Sequence, residues 1–196
     1  MRIERAVNYV TALGPGKRLC VWVNGCSRRC IGCVSQRLQR IDESTEVDID
    51  EYFFGYNLTA IDGVTISGGE PFDQCKELNR LVKYFKKHGI EDILVYTGFT
   101  IEELRRRCDK DVDEILKNIS VLIDGEYIKE LDFGEGNLKG SDNQRILYLN
   151  EGVKERYKAY LKAERGMQEM VLGNTMLAVG IPSEEYIQSF NDKKKL

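Results

Sequence analysis

The sequence predicts an α/β protein: a partial (β/α) barrel with a C-terminal helix plus β-hairpin extension. Three observations predict it. Short β-prone runs alternate with helical runs between residues 19 and 150, the pattern of a parallel sheet joined by crossover helices. The units are too few for an eight-stranded barrel, so the sheet should stay open. The chain has 196 residues, 42% hydrophobic and 31% charged, an ordinary composition for one domain with an appendage.

The elements follow in order. Residues 3–12 read as a first, partly exposed strand, and Gly14-Pro15-Gly16 forces a turn after it. Residues 19–24 are β-prone and deliver the chain to Gly25. Arg37 to Ser44 is a polar connector. Val47 to Leu58 has apolar positions at helical spacing, with acids near its start that suit a helix N-terminus. Gly63 to Ser67 is a short buried strand. Asp73 to His88 is an amphipathic helix, with Leu78, Leu81, Val82 and Phe85 on one face and Gly89 just past its end. Asp92 to Tyr96 is the next strand. Thr100 with Glu103 makes a capping box for a helix to about Arg107, and Asp111 to Lys117 adds further helical turns. Ser120 to Asp124 is a strand ended by Gly125. Gly134 to Asp142 is a glycine-rich loop, and Arg145 to Leu149 is the last core strand.

Residues 1–150 therefore read as a core and 151–196 as an accessory segment. In the segment, Glu151 to Gly166 looks helical. Two apolar runs between Glu169 and Gly180 flank Gly173-Asn174, a two-residue hairpin turn. The helix and hairpin are expected to cover a sheet edge, with a docking element as the alternative, and the final lysine run to be a frayed end.

Composition excludes several functions. The net charge of −3 supplies no field for nucleic acid. No apolar run approaches the roughly 20 residues that span a bilayer, and the N-terminus lacks a signal-peptide core. These features point to the cytoplasm, with no nucleic-acid or membrane partner. In that reducing setting clustered cysteines read as metal ligands or redox centres. Cys20, Cys75 and Cys108 lie outside the cluster and are expected to stay reduced and partly buried.

Cys26, Cys30 and Cys33 are spaced C-x3-C-x2-C. Three thiolates can wrap one corner of a four-iron cluster, which is ordinarily closed by four cysteines. The fourth iron is then free to take an amine and a carboxylate. Two other readings compete: three buried cysteines on one helix face, and a zinc site with a remote fourth ligand. Gly25 and Gly32 argue for a loop rather than a helix, because a chain wrapping an inorganic core needs positive φ. Backbone N–H groups in such a loop can point at the cluster sulfides, and Arg28 and Arg29 can offset its charge. Gly68-Gly69-Glu70-Pro71 leaves the carboxyl end of a buried strand, where α/β sheets place ligands. Two glycines there let backbone approach a ligand, and Glu70 can accept a charge-assisted hydrogen bond from an ammonium group.

With those residues the chain resembles the radical S-adenosylmethionine (SAM) superfamily. Gly14-Pro15-Gly16, Val23-Asn24-Gly25-Cys26, Val95 to Phe99, Leu122 to Tyr127 and Gly140 to Ile146 carry the resemblance further. Across about residues 5–150 the chain is similar to the anaerobic ribonucleoside-triphosphate reductase activating protein family.

The resemblance implies a [4Fe–4S] cluster on Cys26, Cys30 and Cys33, and SAM bound on the open iron. It implies that backbone around Gly32 touches the adenine and that Gly68, Gly69 and Glu70 line the methionine part. It assigns Asp124 to the SAM ribose or a nearby cation, against the plainer reading of an Asp-Gly turn, with Thr97 a weaker candidate of the same kind. Asn143 and Gln144 are left between cofactor contact and loop capping. The implied reaction is reductive cleavage of SAM to a 5′-deoxyadenosyl radical, which installs a glycyl radical on an anaerobic (class III) ribonucleotide reductase or another glycyl-radical protein. The implied electron donor is flavodoxin or ferredoxin. No side chain is expected to act as a general acid or base, because cluster and SAM carry the chemistry. Two alternatives stand beside this: a radical SAM enzyme with a different peptide or small-molecule target, and a non-enzymatic iron–sulfur electron-transfer protein.

Overall fold

The structure is a computed structural model that describes residues 1–133, 136–163, 166–173 and 175–193. Gly134 and Glu135 of the glycine-rich loop, Asn174 of the hairpin turn and Lys194-Lys195 of the lysine run lie outside the described residues.

Six strands form one sheet in chain order: β1 (Ile3–Val10), β2 (Arg18–Val23), β3 (Gly63–Gly68), β4 (Ile93–Tyr96), β5 (Val121–Asp124) and β6 (Arg145–Tyr148). The four central strands β2 to β5 run parallel. β1 and β6 flank them antiparallel. The sheet is open, with β1 and β6 as its two ends and no pairing between them. The α/β class and parallel sheet predicted from the sequence are present, but the strands close no barrel.

Four parallel strands in sequential order step in one direction, so right-handed crossovers put their helices on one face. The helices there are α1 (Ile49–Tyr52), α2 (Cys75–Lys87), α3 (Ile101–Arg106) and α4 (Lys110–Asn118). Their buried side chains, including Ile49, Phe53, Leu78, Phe85, Leu104 and Ile115, join Leu19, Val21, Ile66, Val95 and Leu122 of the sheet in one core. α2 buries the predicted Leu78, Leu81, Val82 and Phe85. α3 carries the predicted capping box, with Glu103 N–H donating to Thr100 Oγ1 at 3.2 Å and Thr100 N–H to Glu103 Oε2 at 2.6 Å.

The helix expected over Val47 to Leu58 shrinks to the four residues of α1. Asp48 accepts from the N–H groups of Asp50 and Glu51 and starts it. Gly55, at φ +86°, prevents its continuation. Phe53 is 1% exposed and sets its ring edge-on against Phe85 at 5.1 Å. Burying that ring on α2 outweighs the local helical pattern.

The accessory segment lies on the other face. It contains α5 (Lys154–Leu161), shorter than expected, then the hairpin β7 (Met167–Leu172) and β8 (Thr175–Gly180), and a helix α6 (Glu184–Lys193) that the polar sequence after Pro182 does not announce. Val179 packs with Val7, Val10, Leu13 and Cys20. Tyr157 packs with Leu94, Val121, Ile123 and Leu138.

At the amino ends of the parallel strands sits a buried polar cluster. Arg18 is fully buried and donates to Asp92 Oδ2 at 2.9 Å, Thr65 Oγ1 at 2.7 Å and the Val64 carbonyl at 2.7 Å. Asp92 also accepts from the Tyr157 hydroxyl at 2.9 Å and pairs with Arg156. A buried charge needs such a full set of partners. The cluster ties α5 to the sheet at the end opposite the cysteines, where conserving structure rather than binding ligands is the usual role of a βα sheet.

Candidate functional site

The carboxyl ends of β2 to β5 release four loops toward one cavity of about 240 Å³. The cysteine loop comes from β2, the Gly68–Pro71 turn from β3, the Thr97–Thr100 turn from β4 and the Gly125–Tyr127 turn from β5.

The cysteine segment is a loop and not a helix, which removes the reading of three cysteines on one helix face. Gly25, Arg29 and Gly32 all have positive φ. The loop is held at both ends. Gly25 N–H donates to the Leu38 carbonyl at 2.8 Å, and Gln39 Nε2 to the Cys30 carbonyl at 3.2 Å. Ser27 N–H and Oγ donate to the two oxygens of Asp73 at 2.7 and 2.8 Å. Arg28 borders the cavity together with the cysteines. Its guanidinium lies 4.8 Å from the Phe99 ring centroid and donates to Glu126 Oε2 at 3.1 Å. It pins the loop to the ends of β4 and β5. Arg29 is exposed.

All three thiols are free, half-buried and part of the cavity lining. Burial pushes each thiol up from its ordinary value, and backbone donors oppose that: the N–H groups of Arg28 and Arg29 at Cys26, of Tyr127 at Cys30 and of Ser35 at Cys33. Ser35 N–H stands 3.4 Å from Cys33 Sγ. Among the described residues no three or more His, Cys, Asp or Glu side chains gather tightly enough to share a single metal ion. His88, the sole histidine, lies at the end of α2 with its ring on Tyr84. Three thiols with backbone N–H donors at their sulfurs are a donor set that an iron–sulfur cluster can take.

The glycine pair has a structural reason that sequence reasoning missed. Gly69 N–H donates to the Val23 carbonyl at 2.7 Å, and Glu70 N–H to the Gly25 carbonyl at 2.9 Å. A Cβ at Gly69 would stand 2.1 Å from the Gly25 oxygen, and one at Gly68 would stand 2.4 Å from Val23 N and O. Only a chain without side chains can seat the root of the cysteine loop so closely. Both glycines also line the cavity.

Glu70 is 1% exposed, and both oxygens are engaged. Oε1 accepts from Phe72 N–H at 2.9 Å and Thr97 Oγ1 at 2.8 Å, and Oε2 accepts from Gly98 N–H at 2.7 Å. Burial pushes its carboxyl up to about 7 against those three donors. Glu70 thus bridges the ends of β3 and β4 and still borders the cavity.

Gly32, Gly68, Gly69, Glu70, Thr97 and Gln144 share the cavity with the cysteines, but Asp124 does not border it. Asp124 is fully buried and accepts from Ile101 N–H at 2.8 Å, Arg145 Nε at 2.9 Å and a terminal Arg145 nitrogen at 2.5 Å. It holds the start of α3 to β6. Gln144 fastens the neighbouring loop, donating to the Gly125 carbonyl and accepting from Gly140 N–H. Asn143 donates to the Glu126 carbonyl. Of the other cysteines, Cys20 is buried and pushed up to about 12 by burial, Cys75 is half-buried, and Cys108 is exposed rather than partly buried as expected. Sequence reasoning also missed Trp22 and Tyr96, on alternate strand positions beneath the cavity, and Ile181 and Ile187 from the accessory segment.

The family described as a 4Fe-4S single cluster domain matches residues 12–147. The anaerobic ribonucleoside-triphosphate reductase-activating protein of Enterobacteria phage T4 is 32% identical over 146 residues, covering 71% of this chain and 89% of that protein. The protein of the same name from Escherichia coli K12 is 30% identical over 144 residues, covering 69% and 91%. That from Haemophilus influenzae is 32% identical over 141 residues, covering 68% and 88%.

Proposed function

Because the chain belongs to the family of anaerobic ribonucleoside-triphosphate reductase-activating proteins, we propose that it is a radical SAM enzyme that installs a glycyl radical on an anaerobic ribonucleotide reductase. One observation carries the assignment to residues: Cys26, Cys30 and Cys33 line a single cavity with Gly68, Gly69 and Glu70. Cys26, Cys30 and Cys33 would hold a [4Fe–4S] cluster, and Gly32, Gly68, Gly69 and Glu70 would border SAM. When bound, cluster and SAM supply a one-electron reductive cleavage that yields methionine and a hydrogen-abstracting 5′-deoxyadenosyl radical.

The chain's own residues bind and orient. Ser27 and Arg28 fix the cysteine loop to Asp73 and Glu126. The Gly69 and Glu70 amides fix its root to β3. Glu70 borders the cavity, where its carboxyl would accept from the ammonium group of SAM, while Thr97 and Gly98 hold its orientation. Asp124 serves through Arg145 and α3, as a strut and not a cofactor contact. The open sheet, with its crossover helices α1 to α4 on one side, is read as part of a barrel whose inner side faces the accessory segment, with residues 1–150 as the core and 151–196 as its accessory. Ile31 and Val34, 86% and 72% exposed on the crest of the cysteine loop, leave the cluster approachable by the reductase and by a reduced flavodoxin or ferredoxin. Six free thiols suit a reducing cytoplasm. No described helix is long and apolar enough to cross a membrane.

Anaerobic reconstitution tests this. Loaded protein given SAM and dithionite should release 5′-deoxyadenosine, and with the reductase it should give a doublet glycyl signal in electron paramagnetic resonance. Cys30→Ala should lose both, with reduced iron content. A fully loaded protein that forms no 5′-deoxyadenosine would refute the enzyme and favour an electron carrier. Cleavage without a glycyl signal would favour a different target.

A further inference from the structure

The cavity has a wall that the family match does not account for. Gly180, Ile181, Pro182 and Ile187 line the same space as the three cysteines and Glu70. They run from the end of β8 into α6, whereas the match ends at residue 147. Leu13 and Trp22, from the β1–β2 side of the sheet, complete this apolar flank.

The wall is anchored to the core. Val179 is 2% exposed among Val7, Val10, Leu13 and Cys20. Gln168 reaches back to the start of the β1–β2 turn, accepting from Thr11 N–H at 2.7 Å and donating to the Tyr9 carbonyl at 3.0 Å. The Tyr160 hydroxyl donates to the Thr11 carbonyl at 2.9 Å. At Gly180 an added Cβ would stand 2.5 Å from the Gly166 oxygen and 2.8 Å from Met167 Sδ. A glycine is needed for the chain to leave the hairpin base there and turn through Ile181-Pro182 toward the cavity.

We propose that Ile181 and Ile187 are positioning residues for SAM, forming an apolar wall that holds the cofactor's uncharged parts against the cysteine loop. The proposal rests on reading the cavity as the SAM site. The chemistry divides the cavity. SAM carries an ammonium and a carboxylate at one end, which need polar partners of the kind found at Glu70 and the loop amides. The faces of its adenine ring and its methylene groups make no hydrogen bonds and are stabilised by leaving water for an apolar surface. The isoleucines of the accessory segment and Trp22 supply that surface. Ile187 is 44% exposed and lines the cavity, so a molecule held there would take apolar area out of water.

The test uses the full chain, reconstituted anaerobically, with equilibrium dialysis of radiolabelled SAM as the primary readout. Ile181→Ser with Ile187→Ser should raise the Kd for SAM about tenfold, or ~1.4 kcal/mol. Iron content and far-ultraviolet circular dichroism should stay unchanged. KM in the cleavage assay should rise with Kd while kcat holds. Val171→Ser, on β7 of the same hairpin, 76% exposed and outside the cavity, should leave Kd unchanged. An unchanged Kd in the folded double variant overturns the proposal, as does an equal effect from Val171→Ser. Should the double variant fail to fold, Ile187→Ser alone carries the test, with a rise of about threefold expected and no rise overturning it. Parent protein that binds no SAM would sink the SAM-site reading instead, so the two failures are distinguishable.

Discussion

Replacing Gly69 with alanine puts a methyl group where the structure has the carbonyl of Gly25. The new Cβ would lie 2.1 Å from that oxygen and 2.7 Å from the carbonyl carbon. Close carbon–oxygen contacts settle at about 3.3 Å or more, so the two backbones must part by roughly 1 Å. That shift takes the Glu70 N–H to Gly25 carbonyl bond, now 2.9 Å, and the Gly69 N–H to Val23 carbonyl bond, now 2.7 Å, out of range. Overpacking costs about 1–3 kcal/mol, and each lost hydrogen bond about 1 kcal/mol, for a total of about 3–5 kcal/mol. A domain of this size melts some 2–4 °C lower per kcal/mol, so a fall of about 10 °C is expected. The same movement unseats the cysteine loop, so iron content after reconstitution should fall below about half of the parent's. Thermal melting by circular dichroism and iron analysis measure the two effects. Gly55→Ala is the control: its φ is +86° but its Cβ would meet nothing within 4 Å, so it should cost about 1–2 kcal/mol from backbone strain alone and leave iron loading intact. A Gly69→Ala variant that melts within about 2 °C of the parent, or loads iron fully, would show that the close seating does not hold the loop.

Three further outcomes are expected. Arg18→Met should lower stability by about 3–5 kcal/mol, because Asp92 stays buried with one cation fewer; chemical denaturation should show this, and iron loading under native conditions should persist. Burial raises the Glu70 carboxyl from 4.5 to about 7, so between those values the folded chain keeps a proton that the unfolded chain has released. Stability of the metal-free chain should therefore decline by up to roughly 3 kcal/mol as pH rises through that window, and Glu70→Gln should flatten the slope; equal slopes in parent and variant would count against it. Asp124→Asn should cost about 2 kcal/mol of stability, since the amide NH2 that replaces one oxygen cannot accept from Arg145 and the charge pair is lost. Its Kd for SAM should not change, and a weakened Kd at unchanged stability would make Asp124 a cofactor contact after all.

What could be read from the chain was local. Cys26, Cys30 and Cys33 fall within eight residues, so their spacing alone constrains a shared loop. The capping box at Thr100 and Glu103 and the apolar stripe of α2 are likewise set by neighbours within one helical turn. The pairing of Gly68–Glu70 with the cysteines was legible because both motifs directly follow buried parallel strands, and such strands end on one side of a sheet.

Tertiary structure decided the rest. Asp124 and Glu70 both end up buried after a strand, yet only Glu70 borders the cavity. The difference is that Arg145, twenty-one residues away on an antiparallel neighbour, captures Asp124. Arg18 reads as a surface charge until Asp92 and Tyr157 are brought to it from distant segments. α1 stops early because Phe53 finds Phe85. The accessory segment looked like cover for a sheet edge; packing of Val179 and Gln168 against β1 carries Ile181 and Ile187 to the cavity. Hydrophobic period and residue spacing act over a few residues, so the sequence by itself determined the strand–helix alternation and the cysteine loop. Which buried polar groups meet, and which segment closes the cavity, depend on contacts between residues far apart in the chain, and only the folded chain supplies those.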